Sequence, residues 1–286
     1  MRARALPAGV VALACVGAIL GGVCAPARAV DGVEIATADD SDLTRRIAED
    51  LRLRVRAIPG TLRKPIVVAI GPVALRREIT QRTGGIIVSA YTSSQVWHAI
   101  GTPPLGVEIT GVYAEPAPAD QLGLVALLYR RPVRTAALLS TDAAFFKPLL
   151  PGVAIETFPE HGNINKVLDQ MAHAQVLLAL PDRAVFTTEN VRNILLSTYR
   201  HGQGVIGFSA DMVKSGALAT TYSDFQDINF QLVEIISAYA LGGDLPPPQF
   251  PRYFRTIVNE GVARSLNLTL DEPIRHYARR PLGVAR

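Results

Sequence analysis

The sequence predicts an α/β fold in two lobes, each a mostly parallel β-sheet flanked by helices. Short, continuously apolar runs alternate with stretches that repeat apolar residues every three or four positions, the pattern of successive βα units. Several of these runs show no polar face, as strands buried on both sides do. Two proline-containing stretches, Tyr113–Asp120 and Gly243–Pro251, interrupt the alternation and read as junctions between lobes.

In chain order the strands are expected at Val33–Ala36, Ile66–Ile70, Gly85–Ser89, Val107–Val112, Thr135–Leu139, Val153–Phe158, Val176–Leu180, Val205–Phe208 and Tyr253–Val258. A helix over Ser41–Val55 is expected from Leu43, Ile47 and Leu51 at four-residue spacing behind a possible Ser41 cap. A second over Phe225–Leu241 places Ile228, Leu232, Ile235 and Tyr239 on one face and stops at Gly242-Gly243. Pro246-Pro247-Pro248 must run extended.

Residues 1–29 read as a removable secretory signal. Arg2 and Arg4 precede an apolar stretch from Leu6 to Val23, and Ala27-Arg28-Ala29 supplies the small-x-small cleavage pattern. Lipid attachment at Cys15 or Cys24 is the competing reading, and cleavage is favoured because neither cysteine has a fitting context. Roughly 257 of the 286 residues would remain, more than one ordinary core takes. Both cysteines leave with the signal, which excludes cysteine nucleophiles and zinc-thiolate sites. With three of the 29 basic residues gone, the net charge falls from +4 to +1, and no basic run points to nucleic acid.

Catalytic patterns are missing. His98, His161, His173, His201 and His276 have no spacing that would pair two imidazoles on a helix, so no metal site is expected. Gly207-Phe-Ser209-Ala-Asp211 lacks the closing glycine of a hydrolase nucleophile turn, and no phosphate-cradling motif occurs. No catalytic residue and no cofactor are expected. Polar groups do cluster just past strand ends, where open α/β sheets bind ligands: Ser89, Tyr91, Thr92, Tyr113, Ser140-Thr141-Asp142, Pro181-Asp182 and Ser209. Hydroxyls and aromatics suit a small organic solute. Helix N-caps are the alternative for Ser93, Thr141 and Ser209.

The ordered set Leu177-Leu-Ala-Leu-Pro-Asp182, Gly204-Val-Ile-Gly-Phe-Ser209, Val213-Lys-Ser-Gly-Ala-Leu-Ala219, Leu245-Pro-Pro-Pro-Gln249 and Val262-Ala-Arg-Ser-Leu266 resembles one family. It is similar to the bacterial ABC-transporter substrate-binding proteins of periplasmic binding protein type 1 fold, in the tryptophan- and tyrosine-type branch. The resemblance implies two Rossmann-like lobes joined by hinge crossovers: residues 30–114 with 217–243 as lobe I, and 115–216 with 244–286 as lobe II. It implies a non-enzymatic, monomeric periplasmic binder that closes on a small-molecule solute and presents it to an ABC permease of the inner membrane. Ser89, Tyr91 and Thr92 would serve from the first lobe, Asp182 and Ser209 from the second, and Tyr222 from the hinge side. If the solute carries an amino group, Asp182 would pair with it. Gly71-Pro72-Val73 departs from the family, which usually carries a hydroxyl there. The alternatives are a two-lobed sensor or partner-binding module without transport, and an exported α/β enzyme.

Overall fold

A computed structural model describes residues 32–160 and 162–281. The signal read at 1–29, its cysteines and His161 lie outside these residues. The first sheet is fully parallel in the order β1 (Val33–Thr37), β2 (Ile66–Ile70), β3 (Gly85–Thr92) and β4 (Val107–Tyr113). β2 is buried throughout, as its unbroken apolar run requires. Helix α1 (Asp42–Arg56) starts at Ser41, whose hydroxyl accepts the Thr44 N–H, and ends on Arg54 and Arg56, which suit the helix dipole. Its buried stripe is Ile47, Leu51 and Val55; Leu43, expected on that face, is exposed.

The two faces of this sheet are covered differently. Ile66 and Val68 of β2 pack with Leu51 and Val55 of α1 and with Ile228 and Leu232 of α8 (Phe225–Ala240). Val67 and Ala69 pack on the opposite side against Ala74 and Leu75 of α2 (Gly71–Gln81). The crossovers through α1 and α2 therefore step the same way across the sheet over opposite faces, so they have opposite hands. Parallel crossovers are right-handed in about 98% of cases. One of these two crossovers is therefore of the uncommon left hand.

The second sheet has the order β10-β9-β8-β7-β5-β6, from β5 (Thr135–Leu139), β6 (Ala154–Thr157), β7 (Val176–Leu178), β8 (Gly204–Ile206), β9 (Ala219–Tyr222) and an antiparallel edge strand β10 (Arg255–Val258). Helix α4 (Pro118–Tyr129), reached after the short α3 (Ser94–His98), covers one face together with Phe146 from a 3-10 segment at Thr141–Leu149. The helices α5 (Ile164–Gln170), α6 (Thr188–Arg200) and α7 (Ala210–Lys214) cover the other. From β5 the chain goes first to β6 on one side and then to β7 on the other, so the order reverses between β5 and β7.

The sheets move the lobe boundaries. β9, assigned from sequence to lobe I with residues 217–243, is hydrogen-bonded into the second sheet, because Ile206 and Ala219 pair in register. The return to the first lobe falls at Ser223 and Asp224, where Asp224 and Asp227 form the capping box of α8. Residues 244–249, assigned to lobe II, run beside β4: the Tyr113 N–H reaches the Gln249 carbonyl (2.9 Å), the Gln249 N–H reaches the Gly111 carbonyl (3.0 Å), and Thr110 donates to the Pro246 carbonyl (2.6 Å). The prolines lack N–H groups and contribute only acceptors here. Gly111 is required between these neighbours, since a Cβ would strike the Ser89 carbonyl. Gln121 of α4, fully buried, fixes the second lobe's end of the return by donating to Gly207 and Thr220 and accepting from the Thr221 N–H (2.9 Å).

Candidate ligand-binding cleft

The reversal between β5 and β7 marks where an open α/β sheet leaves a crevice at its strand ends. Ser140 follows β5 and Asp182 follows β7, and the two are joined there. The Asp182 carboxylate accepts the Ser140 N–H (2.6 Å), the Ser140 hydroxyl (3.0 Å) and the Ala184 N–H (3.0 Å). Opposite this loop stands α3 of the first lobe, capped by Ser93, whose hydroxyl accepts the Val96 N–H. Gln95 of α3 reaches across to the second lobe, with its amide nitrogen 3.4 Å from Asp182 Oδ1 and its oxygen accepting the Arg183 N–H at 3.0 Å. His98, one turn on, stacks on Phe145 of the second lobe with ring centroids 3.9 Å apart.

Around these contacts lies a cleft of about 550 Å³, lined by Arg76, Gln95, His98, Asp142, Arg183 and Ala184 among others. It adjoins a hollow of about 530 Å³ bounded by Ser140, Phe158, Glu160 and Asn190, with Asp142 and Ala184 shared. A more apolar hollow of about 600 Å³, lined by Leu195, Leu196 and Tyr199, lies wholly on the second lobe. Among the described residues no group of three His, Cys, Asp or Glu could hold a metal ion, and no helix is long and apolar enough to cross a membrane.

The residues expected to meet a solute fall in several places. Asp182 is at the cleft, but it is 1% exposed and its oxygens already serve four donors. Tyr91 is the bulged residue where the β3–β4 register shifts, with φ of 58°. Its ring turns inward to the first lobe, and its hydroxyl proton is shared between Asn229 Oδ1 (2.8 Å) and the Phe225 carbonyl (3.0 Å). Burial, then the charge of Asp50, pushes that phenol well above its ordinary range. Tyr113 is set edge-on between Trp97 and Phe250, and burial followed by the Glu115 charge pushes it up to about 12. Ser209 caps α7, accepting the Met212 N–H. Tyr222 ends β9 opposite Arg255, half-buried.

Ser89 and Thr92 are buried on the first lobe, and their hydroxyls have no partner among the described residues. They share this with the Ser94 hydroxyl and Glu115 Oε2. Glu115 stands just beyond β4 and its Oε1 accepts the Ser94 N–H (2.8 Å); burial raises its pKa, and hydrogen bonding from Ser94 opposes the rise. The sequence reading missed Arg76, Gln95, His98, Arg183 and Glu115. Arg183 adjoins Asp182 and Gln95 lies two residues past Ser93, both singled out, so the signal was position along the strand end and not residue type.

Comparison with solved structures places this architecture. The chain aligns with a ligand-free, open substrate-binding protein with adhesive properties from Clostridium difficile at TM-score 0.54 and 15% identity, covering 81% of each chain. It aligns with an ABC domain in complex with L-Trp from Streptococcus pneumonia at TM-score 0.51 and 16% identity, over 85% of this chain and 97% of that one. A conserved domain protein from Vibrio cholerae matches at TM-score 0.52 and 16% identity, over 86% and 97%. The chain has the periplasmic binding protein type 1 fold. The expected fold, two α/β lobes on parallel sheets joined by crossovers, is thus the observed one. No family model and no curated protein matches the sequence.

Proposed function

We propose that the protein is the solute-binding component of an ABC importer, taking a small organic molecule into the cleft between its lobes in the periplasm. The observation that carries this is the position of the cleft. It lies at the carboxyl-end edge of both sheets, at the point where the strand order of the second reverses, and both lobes contribute its walls. A pocket divided between two lobes couples occupancy to their relative position, because a solute touching both walls favours the closed arrangement. A membrane permease can read that arrangement.

Among the described residues no serine, cysteine or metal constellation converges on the lining, and binding without turnover is the simpler chemistry for amide, imidazole and guanidinium groups. Thermal-shift measurement against amino acids, sugars, polyols and small carboxylates tests the reading. A solute at a hundred times its dissociation constant should add about 2.7 kcal/mol of stability. If no small solute shifts melting while a protein partner does, import is the wrong assignment.

A further inference from the structure

Each wall of the cleft carries an arginine. Arg76 projects from α2 of the first lobe, and Arg183 follows Asp182 on the second; both are exposed and line one hollow with His98. Most arginines near the first-lobe sheet and the crossovers are paired: Arg77 and Arg82 with Glu78 at 3.1 and 3.0 Å, Arg54 with Asp50 at 2.7 Å, and Arg255 with Asp224 at 2.6 Å. Among the described residues, neither Arg76 nor Arg183 has a side-chain partner, and Asp142, the single carboxylate in the lining, is joined to neither.

Arg183 is also held where it stands. Its backbone N–H is fixed by Gln95, and the preceding Asp182 is locked by its own donors, so the side chain has the cleft and solvent to enter. Two guanidinium groups on facing walls repel as the lobes approach. An oxyanion between them replaces that repulsion with charge-assisted hydrogen bonds, which the planar guanidinium fork makes in pairs. An ammonium group would find no free carboxylate in Asp182.

We infer that the cleft selects a small organic anion, its carboxylate or phosphate held between Arg76 and Arg183. This rests on the solute-binding reading and narrows it to one class of ligand. Nucleic acid is too large for a hollow of about 550 Å³.

The test is thermal shift and calorimetric titration of the full chain with succinate, citrate and glucose 6-phosphate. Ribose, myo-inositol and L-tryptophan serve as uncharged or zwitterionic probes, with ionic strength matched by sodium chloride. One or more of the anions should raise the melting temperature. Arg76→Gln and Arg183→Gln should each weaken that anion at least tenfold while leaving unliganded melting unchanged, since neither side chain supports the fold. A stronger response to glucose 6-phosphate than to succinate assigns phosphate as the group held, and the reverse assigns carboxylate. If only a neutral or zwitterionic probe binds, solute binding stands and the anion assignment falls. An anion effect that survives both substitutions places the anion elsewhere and overturns the inference. If no probe of any class binds, both readings fall together.

Discussion

Gln95 joins the lobes through one amide, its nitrogen 3.4 Å from Asp182 Oδ1 and its oxygen 3.0 Å from the Arg183 nitrogen. The side chain is 8% exposed, so these bonds are made largely out of water and substitution leaves their partners poorly solvated. Gln95→Ala is expected to cost about 1–2 kcal/mol and to loosen the lobes relative to one another. Solution scattering would show an increased radius of gyration for the variant; an unchanged radius with full stability would mean that Gln95 does not hold the lobes.

Asp182 is expected to behave as a structural residue. Asp182→Ala strands the buried N–H and hydroxyl of Ser140, and a buried donor left without an acceptor costs about 1–3 kcal/mol, whereas the Ala184 N–H lies at an exposed residue that water can reach. Asp182→Asn keeps one acceptor and presents an amide to the other donors, so its loss should be intermediate. Urea denaturation of the unliganded protein orders the three chains; equal midpoints for wild type and Asp182→Ala would return the carboxylate to a ligand role.

The contrast between fold and site follows from what each asks of a residue. Strand positions were legible because Ile66–Ile70 is apolar at every position and Thr135–Leu139 at every position after its first, and burial on both faces has few other causes. Site positions were not. A hydroxyl or carboxylate after a strand looks alike in sequence whether it caps a helix, as Ser93 and Ser209 do, closes a loop, as Asp182 does, or meets a ligand. Arg76 on an exposed helical face resembles any solvated arginine until the second lobe is seen to face it. The crossover at Ser223 was misplaced because Ala217–Thr221 is short and small, and only pairing with β8 and β10 assigns β9 to the second sheet.

Tyr91 links three elements of the first lobe. Its hydroxyl meets Asn229 of α8, whose amide donates to the Ile47 carbonyl (3.1 Å) and to Asp50 (2.9 Å) of α1, and Asp50 pairs with Arg54. Tyr91→Phe removes the donor and leaves Asn229 Oδ1 underserved, an expected loss of about 1–2 kcal/mol. Tyr91→Ala removes the ring and its packing in the first-lobe core as well, so the loss should be larger. Calorimetric melting without ligand checks the order wild type, Phe, Ala.

Glu115 gives the fold a pH dependence whose sign is set by burial. The residue is 3% exposed, with one carboxyl oxygen on the Ser94 N–H and the other without a partner among the described residues, and burial holds its pKa above the ordinary 4.5. The folded chain therefore binds this proton more tightly than the unfolded chain does. The associated stability is fully present below the unfolded value and is lost as pH rises through the folded one. Glu115→Gln keeps an amide oxygen for Ser94 and carries no charge, so it removes the loss. The variant should gain on wild type between pH 5 and pH 8, with urea midpoints measured at both, and the difference between the two proteins cancels every other titrating group. A constant difference across that interval would show that the carboxyl stays ionised with its charge compensated, and that the hydrogen bond from Ser94 outweighs desolvation.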